Sequence, residues 1–134
     1  MSAQISSRWP RIAKFLRLDS STGWVDDYLS FTYAEDRLGS GERAAAYEEW
    51  ADFYEWRLEQ RAGELATDRV RRHLVAEWTA SMAYSLRRSA AFARGEDPGE
   101  WVPLSTRRPD LAAERQALVA EIVAKPIEQL AATG

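Results

Sequence analysis

The chain has 134 residues, 46% hydrophobic and 29% charged, with six Trp, five Tyr, four Phe and no cysteine. That composition is globular rather than disordered, the length suits one domain, and disulfides, thiolate metal sites and a cysteine nucleophile are excluded. Net charge is −3 but alternates in blocks: +4 over residues 1–18, −8 over 19–66, +4 over 67–94 and −3 over 95–134.

In chain order, the first predicted helix spans Ser7 to Leu18, with Pro10 near its start and Trp9, Ile12, Ala13 and Leu16 on one face. Arg8, Arg11, Lys14 and Arg17 interrupt every apolar stretch there, so no secretory signal is expected. A second helix, Trp24 to Arg37, places Trp24, Tyr28, Phe31 and Leu38 on one side, and Gly39-Ser40-Gly41 ends it. From Glu42 to Arg94 almost nothing breaks a helical pattern. One rod of that length would reach about 80 Å at 1.5 Å per residue, too long for a domain this small. A turn is therefore expected near Ala62–Thr67, with Gly63 as C-cap and Thr67 as the next N-cap.

The third helix (42–62) presents Tyr47, Trp50, Tyr54 and Leu58; the fourth (68–94) presents Leu74, Trp78, Met82, Ser85 and Ser89, flanked by Val75 and Leu86. Trp50 and Trp78, central on those faces, are the expected core anchors. Residues 95–106 form the one substantial loop, anchored through Trp101 and Leu104. A last helix begins near Arg107, with Pro109 and Asp110 in its first turn and Leu111, Leu118, Val119 and Ile122 facing inward. Pro126 ends it, leaving Ile127 and Leu130 for a short terminal turn. The fold expected is all-α, a single-domain bundle of four to five helices over residues 1–134.

Residue chemistry narrows the function classes. The only histidine is His73 and no Glu-x-x-His pair exists, so the ligand set of a di-iron bundle is missing. His73 reads as a helix-surface residue paired with Glu77 at i+4 rather than a catalytic base. No glycine-rich phosphate loop follows a strand. No catalytic residue, metal ligand or cofactor is therefore assigned. On the aromatic face of the third helix, Arg43, Arg57 and Arg61 fall close to Trp50 and Tyr54, and Glu35 sits among the aromatics of the second. A charge on a core face needs a partner, so Glu35 with Arg57 or Arg61 is a candidate ion pair. Glu35, Trp50, Tyr54, Arg57 and Arg61 together form a candidate ligand-binding pocket.

A second constellation lies on the presumptive solvent faces. Glu48, Asp52, Glu55 and Glu59 form an acidic stripe on the third helix. Arg69, Arg72, Arg87 and Arg94 interleave with Ala76, Ala80, Ala83 and Ala90 on the fourth. Because each set lies opposite its own apolar face, contact between copies or with a partner is the expected use. The arginine pairs Arg71-Arg72, Arg87-Arg88 and Arg107-Arg108 raise nucleic acid as a further partner, against an acidic isoelectric point of about 5.3. No apolar run of about 18 residues exists to span a membrane, and a membrane partner is not expected. Two lysines among 18 basic residues suggest a GC-rich bacterial or phage genome, and the expected location is cytoplasmic. The leading functional expectation is a non-enzymatic interaction or regulatory accessory protein acting through charged helix surfaces and self-associating. A nucleic-acid accessory protein and a ligand-binding or catalytic bundle follow.

Overall fold

The computed structural model describes residues 7–16, 28 and 30–126. The regular elements among them are helical: α1 (Ser40–Gln60), the single-turn α2 (Ala62–Leu65), α3 (Arg69–Ala93), the single-turn α4 (Leu104–Arg107) and α5 (Pro109–Ala124). Two 3₁₀ turns, Ala13–Phe15 and Glu35–Arg37, precede them. The all-α bundle expected from periodicity is therefore the fold found. No helix among the described residues is long and apolar enough to cross a membrane.

The bundle is organised by α1 lying antiparallel against α3. Its buried side chains include Trp50, Phe53 and Tyr54 together with Ala44, Ala46 and Ala51. On α3 the buried set is His73, Thr79, Ala83, Leu86 and Ala90. Bulk comes from one helix and room from the other, so the rings of α1 fill the space that the alanines of α3 leave. Trp50 is 0% exposed, stacks on Tyr54 at 5.7 Å and meets Phe53 edge-on at 6.0 Å. Fully burying a side chain of this kind stabilises by roughly 1.5–3 kcal/mol over leaving it in water.

This arrangement corrects the face expected of α3. Leu74 and Trp78 were to point inward, but Leu74 is 58% and Trp78 37% exposed, and Ser85 is exposed. At about 100° per residue the inward face is turned by roughly a third of a circle, onto the Ala/Arg face assigned to solvent. Trp78 still meets Tyr54 edge-on at 5.2 Å, at the margin of the core rather than its centre.

The chain before α1 packs its expected apolar residues, with α-helical backbone at 7–8, 28 and 30–32 and 3₁₀ turns at 13–15 and 35–37. Trp9, Ile12 and Leu16 are buried, yet residues 13–15 are a 3₁₀ turn and Leu16 is already extended (φ −80°, ψ 120°). Residues 17 and 18 of that predicted helix lie outside the described residues, as do residues 24–27 and 29 of the second. What is described of the latter is α-helical at Tyr28 and residues 30–32, passes through a 3₁₀ turn at Glu35–Arg37, and packs Tyr28, Phe31 and Leu38 on the core as expected. Gly39 is the N-cap of α1 and Ser40-Gly41 open it, so the glycine pair starts a helix instead of only ending one.

At the α1–α3 bend, Gly63 lies within α2 and Asp68, not Thr67, caps α3, accepting the Arg71 backbone N–H at 3.0 Å. Asp reaches the orphan amide as Thr would. Beyond α3, Gly95 and Gly99 take left-handed φ of 78° and 81°, the conformation that lets a helix end and a loop double back. Pro109 opens α5, and the helix stops at Ala124, two residues before Pro126. Of the expected inner face of α5, Leu111 and Leu118 are buried, whereas Ile122 is 37% and Val119 49% exposed. Ile127 and Leu130 lie outside the described residues.

Candidate interaction surface

Most of the charged residues singled out in the sequence find partners inside the chain. On α1, Asp52 accepts from Arg8 Nε at 3.1 Å and from the buried Trp9 indole Nε1 at 2.7 Å. Glu49 accepts the Arg11 backbone N–H at 2.8 Å and the Arg11 guanidinium at 2.9 Å, while Glu42 takes Arg11 Nε at 3.0 Å. Those two carboxylates, Glu49 foremost, push the Arg11 guanidinium above its usual range. On the other flank of α1, Glu48 pairs with Arg94 at 2.5 Å and Glu55 receives two bonds from Arg87. Glu59 is exposed and joins no ion pair among the described residues. The acidic stripe and the Ala/Arg face therefore meet within one chain, against the expectation that internal packing could not use them. The alanines bring the helices close, and the long arginines reach past them to the carboxylates.

The remaining arginines of that face go to α5. Arg69 donates to Glu121 at 3.1 Å, and Arg72 lies 4.0 Å from Glu114. Between them His73, only 3% exposed, presents Nδ1 to Glu114 Oε1 at 2.6 Å and Nε2 to Glu77 Oε1. Glu77 also takes Arg115 at 3.0 Å. The i+4 pair with Glu77 is present as expected, but His73 is buried, and Glu114, 41 residues away, is a partner that local spacing does not reveal. Both ring nitrogens are occupied, so neither is open to a substrate.

Of the predicted ligand set, Trp50 and Tyr54 stack on each other in the core. Glu35 accepts from the Tyr47 hydroxyl at 2.8 Å and forms no ion pair with Arg57 or Arg61 among the described residues. Burial, followed by Glu35, pushes the Tyr47 hydroxyl up to about 12. Arg61 pairs with Glu64 one turn on. Trp50 and Tyr54 are packed into the core, and Trp50 Nε1 and Arg57 Nε are buried with no hydrogen-bond partner among the described residues. None of these five residues lines the clefts bordered by Leu104 and Leu111, by Arg8 and Glu49, or by Val70 and Ile122.

The arginine pairs proposed for nucleic acid are likewise split. Arg72, Arg87 and Arg108 bind carboxylates, the last Asp110 at 2.8 Å, which holds the Asp110 carboxyl down at about 2. Arg88 and Arg107 instead clasp the loop after α3. The Arg107 guanidinium stacks 3.7 Å from the Tyr84 ring centroid, and its Nε donates to Val102 O at 2.9 Å. Arg88 donates to Gly99 O at 2.9 Å, and Trp101 meets Tyr84 edge-on at 4.6 Å. Trp101 thus anchors the loop as expected while remaining 55% exposed.

With the charges accounted for, the surface that stands out is apolar. No known protein family, curated protein or solved structure matches this chain. Its surface chemistry is therefore read from its own residues. Along the outer side of α3, Val70 (41%), Leu74 (58%), Trp78 (37%) and Phe92 (61%) stay accessible. On α5, Val119, Ile122 and Val123 (75%) do the same. The two sets adjoin, since Val70 lines one groove with Leu118 and Ile122. Sequence reasoning missed this surface because it assigned the largest aliphatic and aromatic residues of α3 to the core.

Proposed function

We propose that this chain is a non-enzymatic helical interaction module whose binding surface is the apolar outer side of α3 and α5. The observation that carries the reading is the exposure of Val70, Leu74, Ile122 and Val123 where α3 and α5 adjoin, while most of the charged stripes are held by internal pairs. Large accessible apolar patches on a small protein mark contact sites, because leaving them in water forfeits roughly 25 cal/mol per Å². The engagement of both His73 nitrogens favours binding over acid–base chemistry. The charged stripes then serve the fold, holding the helices that present the surface.

The test compares wild type with Leu74→Glu/Val123→Glu in affinity capture from host extract, after circular dichroism shows equal helix content. A specific protein retained by wild type and lost by the folded variant is the expected result. The same proteins retained by both would remove the apolar surface as the site.

A further inference from the structure

The inner side of α5 runs Leu111, Glu114, Leu118 and Glu121, the i, i+3, i+7, i+10 spacing of one helical face. Leu111 and Leu118 are buried, so Glu114 sets a carboxylate between two leucines on the seam with α3. An acid in that position costs stability unless the facing helix answers it. The answer is His73, one of two buried polar side chains among the described residues. Its Nδ1 lies 2.6 Å from Glu114 Oε1, and its Nε2 lies against Glu77 Oε1 one turn along α3. A neutral imidazole has one N–H and one bare lone pair; only the imidazolium donates from both nitrogens. A carboxylate at each nitrogen therefore asks for two donated protons. The other charged groups at this junction have partners of their own. Arg115 of α5 bonds Glu77, Arg72 of α3 lies 4.0 Å from Glu114, Arg69 bonds Glu121, and Glu64 of α2 is held by Arg61. The guanidiniums of Arg72 and Arg115 offset the two carboxylates in charge but supply no proton to the ring.

We propose that His73 is a proton-dependent latch for α5: doubly protonated it bridges Glu77 and Glu114 and draws α5 onto α3, and on giving one proton to water it lets go of Glu114. The asymmetry of the two contacts decides which one opens. Glu77 shares a helix with His73, is 16% exposed and is also held by Arg115. Glu114 belongs to the other helix, is 38% exposed and can turn its carboxylate to water. The one remaining N–H therefore stays with Glu77, and the bare Nδ1 faces Glu114 with nothing to donate. The contact that opens is the one that crosses between helices. The latch is closed at low pH and released as the pH rises. Val70 of α3 and Leu118 and Ile122 of α5 line one groove, so loosening α5 reshapes the apolar surface proposed above for contact. The latch does not depend on that reading, and its test needs no partner.

Amide hydrogen exchange of the whole chain, expressed as protection relative to the unfolded rate at each pH, tests the latch between about pH 5 and 9. Imidazoles change charge in that range while carboxylates and guanidiniums keep theirs. His73 is the only histidine and the chain has no cysteine. Protection in α5 is expected to fall about tenfold from the low to the high end, the scale of one hydrogen bond to a charged group, while that of α1 holds. Glu114→Gln keeps an acceptor oxygen for Nδ1–H and adds an N–H for a bare Nδ1, so its α5 is expected to show no such fall. Nitrogen NMR shifts of the His73 ring give a second reading that needs no variant: both nitrogens protonated where α5 is protected, one bare where it is not. Wild-type α5 protection that stays flat across the range, or the same fall in Glu114→Gln, would overturn the proposal. So would a fall shared equally by α1, which reports the whole bundle, or a ring that keeps one protonation state while α5 loosens.

Discussion

The helices α1 and α5 both carry acids beside aliphatic side chains, and they deploy them in opposite ways. On α1 the carboxylates splay to two flanks, and a neighbour answers on each: Arg8, Trp9 and Arg11 on one side, Arg87 and Arg94 on the other. On α5 the charges turn inward to α3, and the outer surface is bare. A dense acidic stripe thus proves to be internal cement, while an inconspicuous run of alanine and valine is a face exposed among the described residues. The alternation of charge blocks along the sequence is complementary packing, read once along the chain and once across it.

The largest effect should come from the aromatic side of α1. Trp50→Ala is expected to cost about 3–5 kcal/mol in chemical denaturation, as for large rings deleted from a packed core. Trp78→Ala, at a site 37% exposed, should cost less than half of that. Equal costs would mean that α3 is turned the other way, as its own sequence first suggests.

Asp52→Ala comes next, at about 1–3 kcal/mol, because it leaves the buried Trp9 indole N–H without an acceptor. Asp52→Asn, which keeps an acceptor oxygen, should recover most of the loss, and urea midpoints of the two variants decide it. Exchanging Glu55 and Arg87 probes the other flank. Each single reversal should lower stability and the double exchange restore it, with a coupling below about 1 kcal/mol because both side chains are about half exposed. A coupling of zero in the cycle would return both stripes to the solvent.

The smallest effect is a pH dependence. Burial and Glu35 raise Tyr47 from 10.0 to about 12, so the folded chain prefers the neutral phenol. Its contribution is complete below pH 10 and fades as the pH climbs from 10 to about 12, since the unfolded chain gives up that proton first. Tyrosinate absorbance should show a step near pH 12 that Tyr47→Phe deletes. A step at pH 10 deleted by the same change would show that the Glu35 contact is not formed.

Much of this was legible in the sequence, for a physical reason. Trp9, Ile12, Leu16, Phe31, Trp50 and Tyr54 are large and apolar, and their spacing alone marks the side that leaves water. The orientation of α3 was not legible, because periodicity gives most weight to large residues such as Leu74 and Trp78, which stay exposed. The face that packs is the one with least bulk, since α1 supplies the rings and Ala83 and Ala90 make room for them. The chemistry of His73 was half legible: the i+4 partner follows from helical spacing, whereas Glu114 arrives from another helix. The outer face of α5 was hidden for the same reason, since only the assembled bundle shows which of its sides the charges occupy.

Salt gives the most direct test of the proposal that most charges are spent internally and that contact is made through the apolar outer side of α3 and α5. Capture from host extract by wild type across low and high sodium chloride should show association that persists or tightens, because apolar contacts are not screened and excluded salts strengthen burial. Association that dissolves as salt rises would contradict the account and return the contact to the charged stripes of α1 and α3.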